Sequence, residues 1–294
     1  MDSQLIAGIE TGGTKILARV SDIGGNVVVD GRWATSSADA AFQDLTAFLE
    51  GAGEGKLAAI GIASFGPLIT DPASSDYGQM QSTPKPGWSG TNIRAELEGR
   101  FGIQVDVDSD VNAAAIAEQA KGAGIGHPTV AYVTVGTGIG AGLVIKGRSL
   151  KGVMHPEAGH LPIIRRPGDE LPSVCHFHES CAEGLVSGPA LNRRLGEGRK
   201  LSEQPAVAEL AAHYLGQLAA SLVLAWSPHR IVWGGGAISE SRLVPMIEDS
   251  MRDSVNGYGV GPAVEQRGFC VPAALNDAGL EGALMMARHR AQQY

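Results

Sequence analysis

The chain has 294 residues, 44% hydrophobic and 18% charged, which fits a globular protein of roughly two domains. A net charge of −8, with no Lys/Arg cluster beyond Arg165-Arg166 and Arg193-Arg194, argues against a nucleic-acid surface. No uninterrupted apolar run reaches the length of about 18 residues expected of a membrane span. Met1 to Gln4 carry no basic region ahead of an apolar segment, so neither a signal peptide nor a membrane partner is expected and the location reads as cytoplasmic. The three cysteines are odd in number and two are crowded against histidines, which speaks against a disulfide framework and for metal.

In chain order, Leu5 to Glu10, Lys15 to Ser21 and Val27 to Trp33 read as three short strands of an antiparallel meander, separated by turn signals. Its first turn holds Gly12 and Gly13, whose missing side chains let backbone N–H groups approach a phosphate, with Thr14 and Lys15 beside them. The same Gly-Gly pair also suits a plain hairpin turn. Asp39 to Glu50 carries a helical apolar stripe and Ala58 to Ser64 reads as a buried strand. From Phe65-Gly66-Pro67 to Trp88 the chain is too rich in Pro and Gly for regular structure, and irregular stretches of such length tend to be functional. Trp88 is either a core anchor or an aromatic wall for a sugar.

A helix from Thr91 to Phe101 leads into Asp106 to Ala115, an alternating strand from Gln104 to Asp108 that turns into an alanine-rich helix. Such strand-to-helix corners are where open α/β sheets place their chemistry. Asp110 is the candidate catalytic base, with Asn112 as its neutral hydrogen-bonding neighbour; the competing reading makes Asp110 a helix cap. The helix runs to about Lys121. Thr129 to Val135 is a β-branched strand, followed by Gly136-Thr137-Gly138-Ile-Gly-Ala-Gly142 and a strand from Leu143 to Ile145. A dinucleotide fingerprint must open a helix, and this loop opens a strand, so Rossmann binding is not expected. No phosphate loop of the Gly-x4-Gly-Lys-Ser/Thr type occurs. Two glycine turns, one near the start of each half, point to the two-domain actin, hsp70 and hexokinase fold, in which paired hairpins pinch a nucleotide in a cleft. The expected domains are residues 1–115, with the last helix about 280–294 packed on them, and 116–294.

His160, Cys175, His178 and Cys181 make a four-ligand set suited to tetrahedral zinc, with no position left open for catalysis. His176 competes by spacing. Ser187 to Leu195 and Glu203 to Trp226 read as helices. Arg230 to Trp233 is a strand running into Gly234-Gly235-Gly236, where an adenine ring could lie on bare backbone; a tight strand-to-helix turn explains the glycines as well. Leu243 to Met251 and Gly279 to Gln293 are the last helices, and Cys270 is a buried spectator in a short strand.

These motifs resemble the ROK (repressor, open reading frame, kinase) family over nearly the whole chain. The resemblance is carried by Glu10 to Lys15, Gly61 to Pro67, Ser82 to Trp88, Asp108 to Ala114, Thr134 to Gly140, His155 to His160 and Cys175 to Gly188. The first, third and sixth of these are similar to the fructokinase branch in particular. It implies an ATP-dependent fructokinase, an ATP:hexose 6-phosphotransferase, with Asp110 as general base and with Gly66, Pro67, Lys85, Asn112, Glu157, His160 and Glu183 at the sugar. ATP phosphates are implied at Gly12, Gly13, Gly136, Thr137 and Gly138, zinc at His160, Cys175, His178 and Cys181, and a homodimer as the assembly. Glu10 stands where most members carry an aspartate that holds Mg²⁺ through water, and Lys85 stands where glucose-using members have an asparagine; the fructokinase branch shares both. Mannose, glucose and N-acetylhexosamines are the alternative substrates. A sugar-sensing repressor would carry a helix-turn-helix ahead of the first glycine turn, where only seven residues precede Gly8.

Overall fold

The computed structural model describes residues 4–53, 55–238 and 242–293; Met1 to Ser3, on which the reading of the N-terminus rests, lie outside them. The elements in order are β1 (Leu5–Thr11), β2 (Lys15–Asp22), β3 (Val27–Ala34), α1 (Ala38–Gly51), β4 (Leu57–Ser64), α2 (Ile93–Phe101), β5 (Gln104–Ser109), α3 (Asp110–Lys121), β6 (Thr129–Val135), β7 (Ile139–Ile145), β8 (Arg148–Ser149), α4 (Ala182–Val186), α5 (Gly188–Leu195), α6 (Pro205–Trp226), β9 (Arg230–Gly234), α7 (Leu243–Val255), α8 (Pro262–Glu265), β10 (Cys270–Pro272) and α9 (Ala278–Ala291). They form two compact units, one of residues 1–117, 149–155 and 277–294, the other of 118–148 and 156–276.

The first unit is built on a five-stranded sheet in the order β3-β2-β1-β4-β5. The meander β1-β2-β3 is antiparallel, and β4 and β5 run parallel to β1. Central strands of such sheets are covered on both faces and read as continuous apolar runs, which is what β1 and β4 are. Leu5, Ala7 and Ile9 face the core shared with Leu45 and Leu49 of α1 and Leu97 of α2. Ile6 of β1 and Ala59 of β4 face Leu284 and Ala287 of α9 on the other side. Helix α9 lies so close that a Cβ on Gly61 would sit 2.0 Å from the Ala283 carbonyl, and one on Gly282 would sit 1.9 Å from the Ala113 carbonyl. The edge strand β3 is mostly exposed and carries Asp30 and Arg32, a charged edge that discourages pairing with another sheet. Ser37 caps α1, and Asn92 caps α2, which ends on Gly102 in the left-handed region (φ 64°).

The second unit repeats the topology without a visible sequence repeat: β10-β9-β6-β7-β8, with β6 and β7 antiparallel and β9 and β10 parallel to β6. Its core is formed by β6, β7 and β9 with α4 to α7. Helix α6 is long and apolar enough on average to cross a membrane. Ala211, Tyr214, Leu215, Leu218, Leu222 and Val223 bury one side of it within this core, and Glu209 and His213 interrupt its apolar run.

Several element ends shift by a few residues, α7 for one running to Val255, and two differences lie near the second glycine turn. Strand β7 starts at Ile139, so the glycine-rich loop shrinks to a turn over Gly136 to Gly138, closed by Gly136 N–H donating to the Gly138 carbonyl at 2.9 Å. The glycines at 140 and 142 pair with Thr134 and Tyr132 of β6, so pairing overrode their weak strand propensity. The helix expected from Ser187 to Leu195 starts one residue later, at Gly188 with Pro189 at its head, and a short helix that was not expected, α4, precedes it, with Ser187 extended between the two.

Candidate active site and metal cluster

Within the first unit, register determines the site. Thr11 at the end of β1 pairs with Ser64 at the end of β4, and Ser64 with Ser109 at the end of β5. The glycine turn after β1, the Phe65-Gly66-Pro67 segment after β4 and Asp110 after β5 therefore stand in a row along the C-terminal edge of the parallel strands, roughly 4.8 Å apart from strand to strand. Thr11 Oγ1 donates to Ser64 Oγ at 2.9 Å, which donates on to the Phe65 carbonyl.

At the first turn, Gly12 N–H donates to the Lys15 carbonyl at 2.9 Å, and a Cβ on Gly13 would meet nothing within 4 Å. The segment after β3 clasps the turn: Thr35 Oγ1 donates to the Gly12 carbonyl at 2.7 Å and Thr35 N–H to that of Thr14 at 3.0 Å. Lys15 turns away, its Nζ 3.7 Å from Asp277 Oδ1. Glu10 sits at the N-terminus of α9, where its Oε2 accepts from Leu280 N–H at 3.0 Å. Burial is the main cause that lifts its pKa, with Asp277 adding and Lys15 opposing. A carboxylate in that position is one a cation would stabilise, so Glu10 suits Mg²⁺ although one oxygen already caps α9.

At the corner, Asn112 N–H donates to Ser109 Oγ at 3.2 Å, the bond of an N-cap to the third helical residue. Ser109 thus supplies the cap, and Asp110 opens α3 with its Oδ1 accepting from Val111 N–H at 2.8 Å. Asn112 is fully buried and donates to Asp108 Oδ1 at 2.8 Å and to the Leu150 carbonyl at 3.3 Å. Asp108, also fully buried, accepts in addition from Ser109 N–H at 2.8 Å and Ser149 Oγ at 2.6 Å, with Lys151 Nζ at 3.4 Å. Burial works against the Lys151 ammonium, and Asp108, with Tyr77 and Asp106, outweighs it and raises the lysine pKa. Asp108, Ser149 and Lys151 escaped sequence reasoning; a strand-end aspartate next to Asp110 was the only signal.

The segment after β4 rests on His155, whose Nε2 accepts from Leu68 N–H at 3.4 Å. A Cβ on Gly66 would lie 2.2 Å from that nitrogen. Trp88 is the core anchor: it is buried, its Nε1 donates to the Ser36 carbonyl at 2.7 Å, and its ring meets Phe65 edge-on at 4.8 Å.

In the second unit, the turn at Gly136 to Gly138 meets three other segments. Glu183 of α4 accepts from Ile139 N–H through Oε2 at 3.0 Å, and a Cβ on Gly138 would lie 2.6 Å from that oxygen. Gly188, opening α5, donates to the Gly136 carbonyl at 2.8 Å. Gly235 has φ 96° and a Cβ there would sit 2.3 Å from the Val135 carbonyl, so the backbone after β9 passes directly beside the turn; Gly236 faces open space. The turn with Thr137 and the glycines 234–236 are thus neighbours. Glu157 is exposed and precedes the single turn Ala158–His160, which packs on β7 through Gly159.

The donor atoms of His160, Cys175, His178 and Cys181 all lie within 4.8 Å of one another. Cys175 Sγ is 3.7 Å from His160 Nδ1 and 3.6 Å from His178 Nδ1, and Cys181 Sγ is 3.8 Å from His160 Nδ1. Zinc bonds of about 2.0–2.3 Å in a tetrahedron require donor separations of about 3.3–3.8 Å, which these three pairs meet, so the donor types and the short pairs suit zinc. The other nitrogen of His160, Nε2, faces Glu183 Oε1 at 3.9 Å, beyond hydrogen-bond distance. Burial, with Cys175 beside it, pushes the Cys181 thiol up to about 11, which a metal would reverse. His176 is exposed and stands outside the set. Cys270, away from it, is held protonated by burial, its pKa pushed up to about 12.

The chain belongs to the ROK family, which it matches over residues 6–290. It is 34% identical over 286 residues to a fructokinase of Pediococcus pentosaceus, covering 97% of this chain and 98% of that one. It is 35% identical over 293 residues to a putative fructokinase of Bacillus subtilis, covering 98% and 97%. Among solved structures, a ROK family glucokinase from Streptomyces griseus in complex with glucose and AMPPNP matches with a TM-score of 0.75 and 28% identity, over 97% of this chain and 99% of that one. The fold is accordingly the two-domain actin and hexokinase-like α/β fold.

Proposed function

We propose that this protein is an ATP-dependent hexose kinase that transfers the γ-phosphoryl group to the 6-hydroxyl of D-fructose. The observation that carries the reading is the row of strand ends in the first unit, where a glycine turn, the Gly66-Pro67 segment and Asp110 share one edge. Ser109 makes the N-cap bond there, and Asp110 stands one position inside the helix with Oδ1 on Val111 N–H. Two full-length relatives named as fructokinases support the sugar.

In this mechanism the substrate oxygen attacks the γ-phosphorus, its bond to the β–γ bridging oxygen breaks, ADP leaves, and the hydroxyl proton passes to Asp110. The transition state is loose, so positioning and charge stabilisation dominate. The N–H groups of Gly13 and Gly138 and the hydroxyls of Thr14 and Thr137 take phosphate charge, Gly12 and Gly136 let the phosphates approach while their own N–H groups close the turns, and the glycines 234–236 receive the adenine. Gly66, Pro67, Glu157, His160 and Glu183 hold the sugar, while Asn112, locked by Asp108, keeps the corner rigid. Glu10 would hold Mg²⁺, which neutralises phosphate charge when bound. Structural zinc would sit on His160, Cys175, His178 and Cys181, pinning the loop that leads into α4 and its Glu183. The working form is a cytoplasmic homodimer. The likeness to a glucokinase holding glucose keeps glucose as the second reading.

The test is an assay of ADP release with ATP and Mg²⁺ against fructose, mannose, glucose and N-acetylglucosamine, with Asp110→Asn as control. Turnover on fructose is expected, and the variant should lose about 10²-fold or more in kcat while keeping its sugar KM. Turnover on glucose alone would replace the substrate, and near wild-type kcat in the variant would remove Asp110 from its role.

A further inference from the structure

We propose that Lys85 is the cation of the phosphate turn and holds the terminal phosphate of the nucleotide, in place of a contact to the sugar. This rests on the kinase reading above. The two lysines near the first turn exchange the duties their sequence positions suggest. Lys15, inside the motif, is drawn to Asp277 at 3.7 Å and lies in the field of Glu10. Lys85, 72 residues beyond Gly13, reaches the turn instead, its Nζ donating to the Gly13 carbonyl at 2.6 Å. Among the described residues that carbonyl is its only hydrogen-bond acceptor and no carboxylate pairs with it. Its charge is therefore uncompensated, beside a glycine whose Cα faces open space.

The loop that carries Lys85 is held firmly enough to aim it. Trp88 is locked in the core, its Nε1 bonded to the Ser36 carbonyl, and Ala38 N–H donates to the Gly87 carbonyl at 3.4 Å. Thr35, in the same segment, grips the turn from its other side through Gly12 and Thr14. Turn, Thr35–Ala38 and the Lys85 loop form one hydrogen-bonded assembly. Its other end meets the segment after β4, where Gln81 N–H donates to the Pro67 carbonyl at 2.7 Å. Lys85 thus sits on the span between the turn proposed for phosphate and the segment proposed for sugar, which is where the transferred phosphate must pass. An ammonium serves there as a point charge that can follow a moving phosphoryl group.

The experiment measures AMPPNP and ADP binding by calorimetry, and kcat and KM with the hexose that is turned over, for the wild type, Lys85→Met and Lys85→Arg. Loss of one charge-assisted bond to the third phosphate should weaken AMPPNP by about 10- to 100-fold, leave ADP within about 3-fold, lower kcat and leave the sugar KM within about 2-fold, with Lys85→Arg restoring much of the AMPPNP affinity. A raised sugar KM with unchanged AMPPNP affinity would overturn the proposal in favour of a sugar contact. Equal losses for ADP and AMPPNP together with a lowered Tm would reduce Lys85 to a brace of the turn. A wild type that binds neither nucleotide would refute the kinase reading itself, before any variant is considered.

Discussion

Replacing Asp108 by Asn tests whether the buried network behind the corner is what holds it. The carboxylate is 0% exposed and takes four donors: Ser109 N–H, Asn112 Nδ2, Ser149 Oγ and Lys151 Nζ. An amide has one acceptor oxygen, so its NH₂ would face either the Ser109 and Asn112 donors or the Ser149 and Lys151 pair. Each buried donor left unpaired costs about 1–3 kcal/mol, and removing one partner of a buried ion pair costs about 3–5 kcal/mol. Lys151 keeps some contact with water, its side chain 29% exposed, so the expected loss for Asp108→Asn is about 3–4 kcal/mol. Lys151→Met leaves Asp108 three hydrogen bonds and should cost about 1–2 kcal/mol. Urea unfolding of both variants and of the double variant measures this. The double variant should be more stable than additivity predicts, because the second change removes an ammonium the first had stranded. A loss under about 1 kcal/mol for Asp108→Asn, or additivity within about 0.3 kcal/mol, would refute the network.

Two further outcomes follow from the second unit. The purified chain should carry about one zinc, measured by elemental analysis, and Cys181→Ser or a strong chelator should remove it and lower Tm and turnover together; unchanged stability after metal loss would refute a structural role. Asp169 is held in a fork by Arg194 at 2.7 and 2.9 Å and by the Tyr214 hydroxyl at 2.6 Å, and the Arg194 bonds lead in lowering its pKa from 3.8 to about 2. The folded-state pKa is depressed, so the stability it contributes, about 2 kcal/mol, is complete above pH about 4 and fades as pH falls through about 2. Asp169→Asn should flatten that part of the stability curve against pH, and a curve of unchanged shape would show that the fork does not stabilise the fold.

The strands and helices were legible because their periodicities are local: β1, β2, β6 and α1 came within a residue or two of their observed bounds. The errors lie where pairing decided. Gly140 and Gly142 look like loop residues until β6 supplies partners along their whole length. The Cys/His cluster was legible too, since three of its members lie within seven residues of one another and only His160 had to be brought from elsewhere.

Residue types and spacings, then, determined the two glycine turns, the carboxylate corner and the Cys/His cluster, because each is made within a short stretch whose chemistry the chain carries with it. Tertiary structure decided which partners those groups meet. Ser109 rather than Asp110 caps α3, Asn112 is held by Asp108 with Ser149 and Lys151 arriving from 40 residues away, and Lys85 takes the turn that Lys15 leaves for Asp277. The physical reason is that hydrogen bonds and ion pairs act over a few ångströms, so a buried polar group takes whatever partner folding brings beside it, and linear spacing carries no record of that choice.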